Sequence, residues 1–149
     1  MPKVAVIYYS KTGNTKKLAE LLAEGCRKVP GCEVEMMALP GCDVQAATQA
    51  DGFAIGSPDY FSYMAGHVKT FYDEALAHKA TLTGKPYVAF GTHGGGARVL
   101  ESLERLSGAI GLTQAAPGVM CQRAPGPDVA EPARALGEAL ARAAGGWAT

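Results

Sequence analysis

Hydrophobic and polar positions along the chain switch between two periods about five times. Short runs in which nearly every residue is apolar are typical of strands buried on both faces of a sheet. Longer segments with apolar residues at helical spacing are typical of helices packed on such a sheet. The predicted strands cover residues 3–9, 33–38, 52–56, 86–90 and 115–121. This alternation predicts an α/β fold in which helices cover both faces of a parallel sheet.

The helical segments follow the strands in turn. The first has a single apolar stripe and ends at Pro30-Gly31, the second is predicted at about 65–78, and the third carries Val99 to Ile110. The last begins near Asp128, with Glu131 predicted to complete a capping pair. The apolar face of the second helix holds Met64, Val68, Phe71, Tyr72, Ala75 and Leu76. Residues 41–49 are predicted as a polar linker, and Pro117 indicates that the last strand lies at an edge of the sheet.

The segment Ser10-Lys11-Thr12-Gly13-Asn14-Thr15 comes directly after the first strand and opens the first helix. Backbone N–H groups at a helix start are unpaired, the helix dipole favours negative charge there, and hydroxyls add further donors. Gly13 permits a tight turn and a close approach of the main chain to a ligand. The alternative is an ordinary turn with Thr or Asn as the helix cap, which needs only one such residue. Three hydroxyls in six residues therefore predict a phosphate site.

Two commoner nucleotide loops are excluded at this position. The chain lacks both G-x-x-x-x-G-K-[ST] and a G-x-G-x-x-G after the first strand. No acidic pair ends that strand, which argues against a phospho-accepting receiver domain. The segment S-x-T-G-N-T instead resembles the phosphate loop for flavin mononucleotide (FMN) in the flavodoxin-like family.

Three unusual loops are predicted on one edge of the sheet, at residues 10–15, 57–64 and 91–96. Ligands of open parallel sheets bind beyond the carboxyl ends of the strands, a rule that flavodoxin itself commonly illustrates. The position of the site is therefore implied by the resemblance to that family, whereas the unusual composition of the three loops is observed in this sequence itself.

The loop at 57–64 holds three aromatic residues within four positions, Tyr60, Phe61 and Tyr63. One interpretation is a wall for a flat conjugated ring, which packs well on aromatic and apolar surfaces. The alternative is that these rings plug the top of the core. We expect a mixture, with at least one ring in contact with ligand and one ring buried.

The loop Gly91-Thr92-His93-Gly94-Gly95-Gly96 has four glycines in six positions. So little side chain allows backbone N–H and C=O groups to reach the edge of a heterocycle, such as the pyrimidine side of a flavin. The alternative is a flexible hinge. Its position between a buried strand and a helix favours contact with a ligand.

Length and composition narrow the class of protein. A chain of 149 residues that is 48% hydrophobic and 19% charged predicts one globular domain, residues 1–149. Fourteen basic and fourteen acidic residues cancel, which argues against nucleic acid as a partner. No signal peptide or membrane span is expected, and Cys26, Cys32, Cys42 and Cys121 lack metal-site spacing, so we expect reduced thiols, no metal and a cytoplasmic location. A redox pair between Cys26 and Cys32 is the less favoured alternative.

The resemblance extends along most of the chain. The pattern Gly56-Ser57-Pro58-x-Tyr60-Phe61-x-x-Met64, with Lys69-x-Phe71-x-Asp73 and the glycine loop, is similar to flavodoxin-like NAD(P)H:quinone reductases. It implies a three-layer, doubly wound, five-stranded parallel sheet of order 2-1-3-4-5. Two departures stand out. The chain has no room for the extra segment that helps those reductases to form tetramers, and it lacks the acidic charge and the glycine-loop tyrosine of carrier flavodoxins, with His93 in that loop instead.

The resemblance also implies how FMN would be held. The phosphate would be bound by Ser10, Lys11, Thr12, Gly13, Asn14 and Thr15. The ring and its polar edge would contact Pro58, Asp59, Tyr60, Phe61, Ser62, Tyr63, Thr92, His93, Gly94, Gly95 and Gly96. His93 is the one titratable candidate for protonating a bound quinone, although a solvated loop histidine without a role is an equal alternative.

Three functions compete on this basis. The first is a reductase that passes hydride from NAD(P)H to a quinone or similar small acceptor. The second is a carrier that moves electrons between redox proteins, and the third is an interaction module, which the phosphate loop disfavours. Residues 57–64 contain no glycine, although Asp59 tolerates positive φ at some cost, so we expect weak stabilisation of one-electron-reduced flavin. This favours the two-electron reductase, and the pattern is also compatible with a homo-oligomer that shares the ring edge.

Overall fold

The computed structural model describes residues 1–146, so the tail predicted around Trp147 lies outside the described residues. The strands are β1 (Lys3–Tyr8), β2 (Glu33–Ala38), β3 (Gly52–Pro58), β4 (Pro86–His93), β5 (Thr113–Gln114) and β6 (Val119–Gln122). The helices are α1 (Asn14–Arg27), α2 (Val44–Ala47), α3 (Gly66–Ala75), α4 (Lys79–Leu82), α5 (Val99–Ala109) and α6 (Pro127–Ala144), with a 3-10 turn at Leu76–His78.

The strands form a parallel sheet in the order β2-β1-β3-β4-β5. The short strand β6 also pairs with β4 and continues the edge that β5 begins. Helices α1 and α6 pack on one face, and α2, α3 and α5 pack on the other. The predicted three-layer, doubly wound fold and its strand order are confirmed.

The central strands are apolar at almost every position because both of their faces are covered. In β1, Ala5 and Ile7 face the layer of α3 and α5, whereas Val4 and Val6 face α1 and α6. All four side chains are fully buried. This explains why these strands read as continuous apolar runs instead of alternating ones.

Two glycines bring α1 and α6 into backbone contact. A Cβ on Gly25 would lie 1.9 Å from the carbonyl oxygen of Arg134, and one on Gly137 would lie 2.0 Å from that of Leu22. The thiol of Cys26 donates to the carbonyl of Gly137 at 3.2 Å. This contact fixes α1 against the sheet and therefore fixes where the N-terminus of α1 emerges.

Strand register sets the layout of the carboxyl edge. Pro58 in β3 lies beside Thr92 in β4, and Thr92 lies beside Cys121 in β6. The residues that follow these strands consequently leave the sheet side by side. The loop after β1 leaves the sheet at the same edge. The three unusual loops therefore lie together at the carboxyl edge of the sheet.

Several predicted boundaries were wrong. The linker at 41–49 contains α2, whose N-terminus is capped by the Asp43 carboxylate accepting from the Ala46 N–H at 3.2 Å. Leu76, predicted on the apolar face of the second helix, is 54% exposed because the helix gives way to a 3-10 turn there. Pro117 lies between β5 and β6 and interrupts the predicted last strand, since it has no N–H to donate to β4.

The predicted cap of the last helix was also wrong. Gly126 is the N-cap of α6 and no side chain caps it, while Pro127 occupies the first helical position. Glu131 pairs instead with Arg134, one turn along the helix, at 2.8 Å. Proline at the first position explains the displaced start, because its ring has the helical φ built in.

All four cysteines are free thiols. Burial raises the pKa of the Cys26 thiol to about 12, which keeps it protonated and unreactive near neutral pH. Within residues 1–146, no group of three or more His, Cys, Asp and Glu side chains is placed to hold a metal ion. No helix in the same range has the length and apolar character needed to cross a membrane.

Candidate functional site

A cleft of about 220 Å³ lies between the three loops at the carboxyl edge of the sheet. It is lined by Lys11, Thr12, Asn14, Thr15, Pro58, Asp59, Tyr60, Thr92, His93, Gly94 and Arg123. All of these except Arg123 were predicted from the sequence. The other residues of the predicted site lie outside the lining of the cleft: Ser10, Gly13, Phe61, Ser62, Tyr63, Gly95 and Gly96.

The loop after β1 turns tightly into α1. Gly13 is the N-cap of α1, has φ 98° and contributes no side-chain cap. The Ser10 hydroxyl accepts from the N–H groups of Gly13 and Lys16, both at 3.1 Å. The cap is therefore neither Thr nor Asn, and Ser10 braces the loop from within.

The remaining N–H groups at the start of α1 are not used by the protein itself. Within the described residues, no carbonyl or side chain accepts from the N–H of Thr12, Asn14 or Thr15. All three residues line the cleft. Unpaired donors at the positive end of a 14-residue helix are suited to binding an anion.

A buried hydrogen bond joins α1 to β4. The hydroxyls of Thr15 and Thr92 lie 2.8 Å apart, and both residues are buried. One hydroxyl donates to the other, so each satisfies a polar atom that would otherwise be buried alone. The contact fixes the start of α1 to the strand that carries His93.

The loop after β3 is braced at both ends. The Ser57 hydroxyl donates to the carbonyl of Pro58 and accepts from the Ala65 N–H, both at 2.8 Å. The Asp59 N–H donates to the carbonyl of Thr92 at 2.7 Å. The Asp59 carboxylate accepts from the N–H of Ser62 and, with its other oxygen, from the N–H of Arg98, each at 2.8 Å. Asp59 therefore ties the aromatic loop to the end of the glycine loop.

Residues 60–63 form a two-residue hairpin turn. Tyr60 and Tyr63 exchange backbone hydrogen bonds of 2.8 and 3.1 Å, and the intervening Phe61 and Ser62 have φ of 57° and 65°. Positive φ at both central residues is the pattern of a type I′ turn, which normally takes Asn and Gly. Positive φ, which we noted only that Asp59 would tolerate, occurs in this loop at Phe61 and Ser62.

The aromatic side chains of this turn are all exposed. Tyr60 is 37% exposed and lines the cleft, Tyr63 is 38% exposed, and Phe61 is completely exposed. The expectation that one of the three rings is buried was wrong. Met64 fills the core below the turn instead, because the hairpin lifts the rings away from the sheet.

The glycine loop is shorter than predicted. Gly91, Thr92 and His93 belong to β4, and a Cβ on Gly91 would lie 2.5 Å from the side chain of Val99. Gly94, Gly95 and Gly96 are exposed, lack positive φ and have open space where a Cβ would be. Neither packing nor backbone geometry requires glycine at 94–96, which leaves the two predicted explanations, close approach of a ligand and flexibility.

His93 presents an unsatisfied polar atom at the cleft. Its Nδ1 is buried and has no hydrogen-bond partner in the described part of the chain. Burying such an atom costs about 1–3 kcal/mol unless a partner is supplied. A ligand with a polar edge in the cleft would supply that partner.

Arg123 completes the cleft and was missed by the sequence analysis. It directly follows β6, has φ 58°, and donates its N–H to the carbonyl of His93 at 2.8 Å. The carboxyl-edge rule that found the other loops also applies to the residue after the last strand. The predicted strand ended at residue 121, one residue before the end of β6, so the same rule applied to this strand would have pointed to Arg123.

Charge in the cleft favours an anion. Lys11 and Arg123 contribute positive charge, and neither forms an ion pair within residues 1–146. The one carboxylate in the lining, Asp59, already accepts two backbone N–H groups. Nearby, burial raises the pKa of Tyr60, and the neighbouring Tyr9 adds to that rise.

Comparison with known proteins places this geometry in a family. The family model for flavodoxin matches residues 6–137 of the chain. A flavodoxin of Aquifex aeolicus is 41% identical over 96 residues, which cover 64% of this chain and 52% of the relative. A probable NAD(P)H dehydrogenase (quinone) of Arabidopsis thaliana is 32% identical over 120 residues, covering 63% of this chain and 44% of the relative.

The chain thus spans about half the length of the curated relatives that it matches. The structure of an archaeal flavodoxin superposes with a TM-score of 0.87 at 24% identity, covering 96% of this chain and 99% of the other. That likeness shows the fold, and the family model shows the membership. The chain belongs to the flavodoxin family.

Proposed function

We propose that this protein binds FMN and acts as a two-electron reductase that passes hydride from NAD(P)H to a quinone or similar small acceptor. The observation that carries the proposal is that the N–H groups of Thr12, Asn14 and Thr15, three residues that line the cleft, have no acceptor within the described residues. Flavodoxin-family membership implies FMN as the cofactor.

The phosphate end of the cleft fits a dianion. The three N–H groups would donate to phosphate oxygens, and the Thr12 hydroxyl adds a donor. Lys11 and Arg123 add positive charge on the same side of the protein without a competing carboxylate partner. Hydrogen bonds to a charged group are about twice as strong as neutral ones, so this end would supply much of the affinity.

The ring end is formed by Pro58, Tyr60, His93 and Gly94. Bound FMN supplies the hydride and electron chemistry, which no side chain of the protein can perform. Tyr60 and Pro58 offer a flat, apolar surface, and His93 Nδ1 would hydrogen-bond to the polar edge of the ring. With Nδ1 engaged in this way, the other imidazole nitrogen, Nε2, would deliver a proton to an oxygen of a bound acceptor.

The rigid loop after β3 supports two-electron chemistry over one-electron transport. Its hairpin is held by the Tyr60–Tyr63 backbone pair and by the Asp59 carboxylate on the Ser62 N–H. A change of peptide orientation here would break these bonds, and there is no glycine to ease it. A protein that cannot adapt this loop to the one-electron state has little means of stabilising it.

A second candidate is an electron carrier between redox proteins. The 41% identity to a protein described simply as a flavodoxin favours it. The zero net charge of the chain opposes it, because transient docking between redox proteins generally relies on opposite charge.

Anaerobic mixing of FMN-loaded protein with NADPH and NADH separates the two candidates. We expect either nucleotide to bleach the flavin absorbance fully within the mixing experiment, and a soluble quinone to restore it. A reductive titration with dithionite should show little one-electron-reduced flavin. If neither nucleotide bleaches the flavin, or if a blue one-electron form accumulates strongly, the carrier is correct.

A further inference from the structure

The turn after β6 has a backbone conformation that its residue type does not favour. Arg123 has φ 58°, which lies in the left-handed region. A residue with a long side chain is uncommon there, because its Cβ crowds the neighbouring carbonyl oxygen. Such a conformation persists only where surrounding contacts hold it, and it occurs often at ligand sites. The contacts of the Arg123 backbone therefore show what holds this turn.

Two hydrogen bonds hold the Arg123 backbone. Its N–H donates to the carbonyl of His93 at 2.8 Å, and its carbonyl accepts from the thiol of Cys121 at 3.1 Å. No other donor to the Arg123 carbonyl occurs within residues 1–146. A thiol is a weak donor, but this bond is partly buried, so water is a poor substitute for it.

Strand register places the Cys121 thiol on the side of the sheet where α1 begins. Cys121 is buried and pairs with Thr92 between β6 and β4. Paired residues of neighbouring strands point to the same face of a sheet. The Thr92 hydroxyl contacts Thr15 in the first turn of α1, and Cys121 packs in the layer of α1 and α6. The Arg123 carbonyl, which the thiol contacts, therefore lies on the α1 side as well.

The Arg123 side chain has its own reason to be held in place. It lines the cleft together with Thr12, Asn14 and Thr15, whose N–H groups have no acceptor within the described residues. A guanidinium beside unused N–H donors suits a phosphate, to which it can donate two parallel hydrogen bonds. Because backbone conformation sets the direction of a side chain, a relaxed turn would aim the guanidinium elsewhere.

We propose that Cys121 is a positioning residue for FMN, because its thiol holds Arg123 in the left-handed conformation from which the guanidinium binds the phosphate. This inference rests on the FMN binding of the proposed function, and it holds equally for a reductase and for a carrier. Cys121 does not line the cleft, so it acts only through Arg123. Simple support of the core would instead affect FMN and riboflavin alike.

The first test compares the affinities of FMN and riboflavin, measured by quenching of flavin fluorescence on the full chain. Cys121→Ala removes the donor and should weaken FMN binding by about three- to tenfold, with riboflavin binding unchanged. Cys121→Ser keeps a donor and should bind both flavins like the wild type.

The matched control is Cys32→Ala. The Cys32 thiol also donates to a backbone carbonyl, that of Glu33 at 3.6 Å, but it lies just before β2, at the opposite edge of the sheet from the cleft. This variant should bind FMN and riboflavin like the wild type.

A double variant tests whether Cys121 acts through Arg123. Arg123→Gln combined with Cys121→Ala should bind FMN no more weakly than Arg123→Gln alone, because a thiol cannot position a guanidinium that is absent. Added salt should reduce the loss in Cys121→Ala, as it does for any loss of a charge contact.

A measurement on the flavin-free protein tests the turn itself. The Arg123 N–H is protected by its bond to the His93 carbonyl. Amide hydrogen exchange at Arg123 should accelerate in Cys121→Ala and stay as in the wild type in Cys121→Ser and Cys32→Ala.

Four results would overturn this inference. Equal losses of FMN and riboflavin affinity in Cys121→Ala would show that the thiol only supports the core. Additive losses in the double variant would show that Cys121 and Arg123 act separately. A Cys121→Ala variant with wild-type FMN affinity would refute the inference and leave FMN binding intact. A wild type that binds no FMN would overturn the proposed function as well.

Discussion

The hydroxyl of Thr15 on α1 lies 2.8 Å from the hydroxyl of Thr92 on β4, and this buried contact joins the start of α1 to the strand that carries His93. The two residues are 77 positions apart in sequence. Each side chain has its hydrogen-bonding partner only if the loop after β1 and the end of β4 are correctly docked. Folding of the core and assembly of the site are therefore coupled through this pair.

A double-mutant cycle measures that coupling. Thr92→Val leaves the Thr15 hydroxyl buried without its partner and should lower the free energy of unfolding by about 1–3 kcal/mol. Thr15→Val together with Thr92→Val removes both polar groups and should cost less than the sum of the two single changes. Urea unfolding of the flavin-free protein gives all four values, and strict additivity would contradict a direct contact.

Asp59 should matter to the order of the site loops. Asp59→Asn replaces one acceptor oxygen by an NH₂ group, which cannot accept from either Ser62 or Arg98. We expect a loss of about 1–2 kcal/mol in the free energy of unfolding. Amide hydrogen exchange should also accelerate at Ser62 and Arg98.

The matched control for Asp59 is Asp73→Asn on α3, which breaks only the exposed ion pair with Lys69. That change should cost less than about 0.5 kcal/mol, as exposed pairs usually do. Equal effects of the two substitutions would mean that Asp59 does not brace the loops.

Arg123 and Lys11 should contribute to phosphate binding. Arg123→Gln and Lys11→Gln should each weaken FMN binding by about three- to tenfold, and the effect should shrink as salt is added. Riboflavin, which lacks the phosphate, should bind the variants and the wild type alike. Lys17→Gln is the control, since Lys17 is an exposed residue of α1 outside the cleft. If the variants lost as much affinity for riboflavin as for FMN, Lys11 and Arg123 would not act on the phosphate.

His93 should have opposite effects on the flavin-free and flavin-bound protein. His93→Phe removes the buried Nδ1 that lacks a partner and should stabilise the flavin-free protein by about 1 kcal/mol. The same change should weaken binding of riboflavin and FMN, because the ring edge loses its partner. Thermal unfolding with and without flavin gives both values. Destabilisation of the flavin-free protein by this substitution would show that the unpartnered Nδ1 does not destabilise the native state.

Stability should fall at high pH because of Cys26. Burial raises the pKa of this thiol to about 12 from the ordinary value of 9.0, so above pH 9.0 the unfolded chain releases a proton that the folded chain retains. The free energy of unfolding should therefore decrease by about 1.4 kcal/mol per pH unit from this group, from about pH 9 towards its folded pKa. Below that range its contribution is constant.

Comparison with Cys26→Ala isolates this effect from other groups that titrate at high pH. Urea unfolding would be measured at about pH 7.5 and about pH 10, on either side of the unfolded-state pKa. Between these two values the free energy of unfolding should fall more for the wild type than for the variant. A second readout is alkylation of the native protein at mild alkaline pH, in which half-buried Cys32 and Cys42 should react before Cys26. If the free energy of unfolding depended on pH in the same way in the wild type and in Cys26→Ala, the Cys26 thiol would not be buried and protonated as described.

The sequence by itself determined the α/β class, the α1 stripe and most of the cleft lining. These features are written in local periodicity, and the sheet edge at which Thr12, Asn14 and His93 meet follows from a general rule for parallel sheets. Only the tertiary structure decided that Asp59 accepts from Ser62 and Arg98, that Arg123 reaches the cleft, and that Phe61 points into solvent. Each of these depends on strand register and on contacts between residues far apart in the chain, which local patterns of hydrophobicity do not encode.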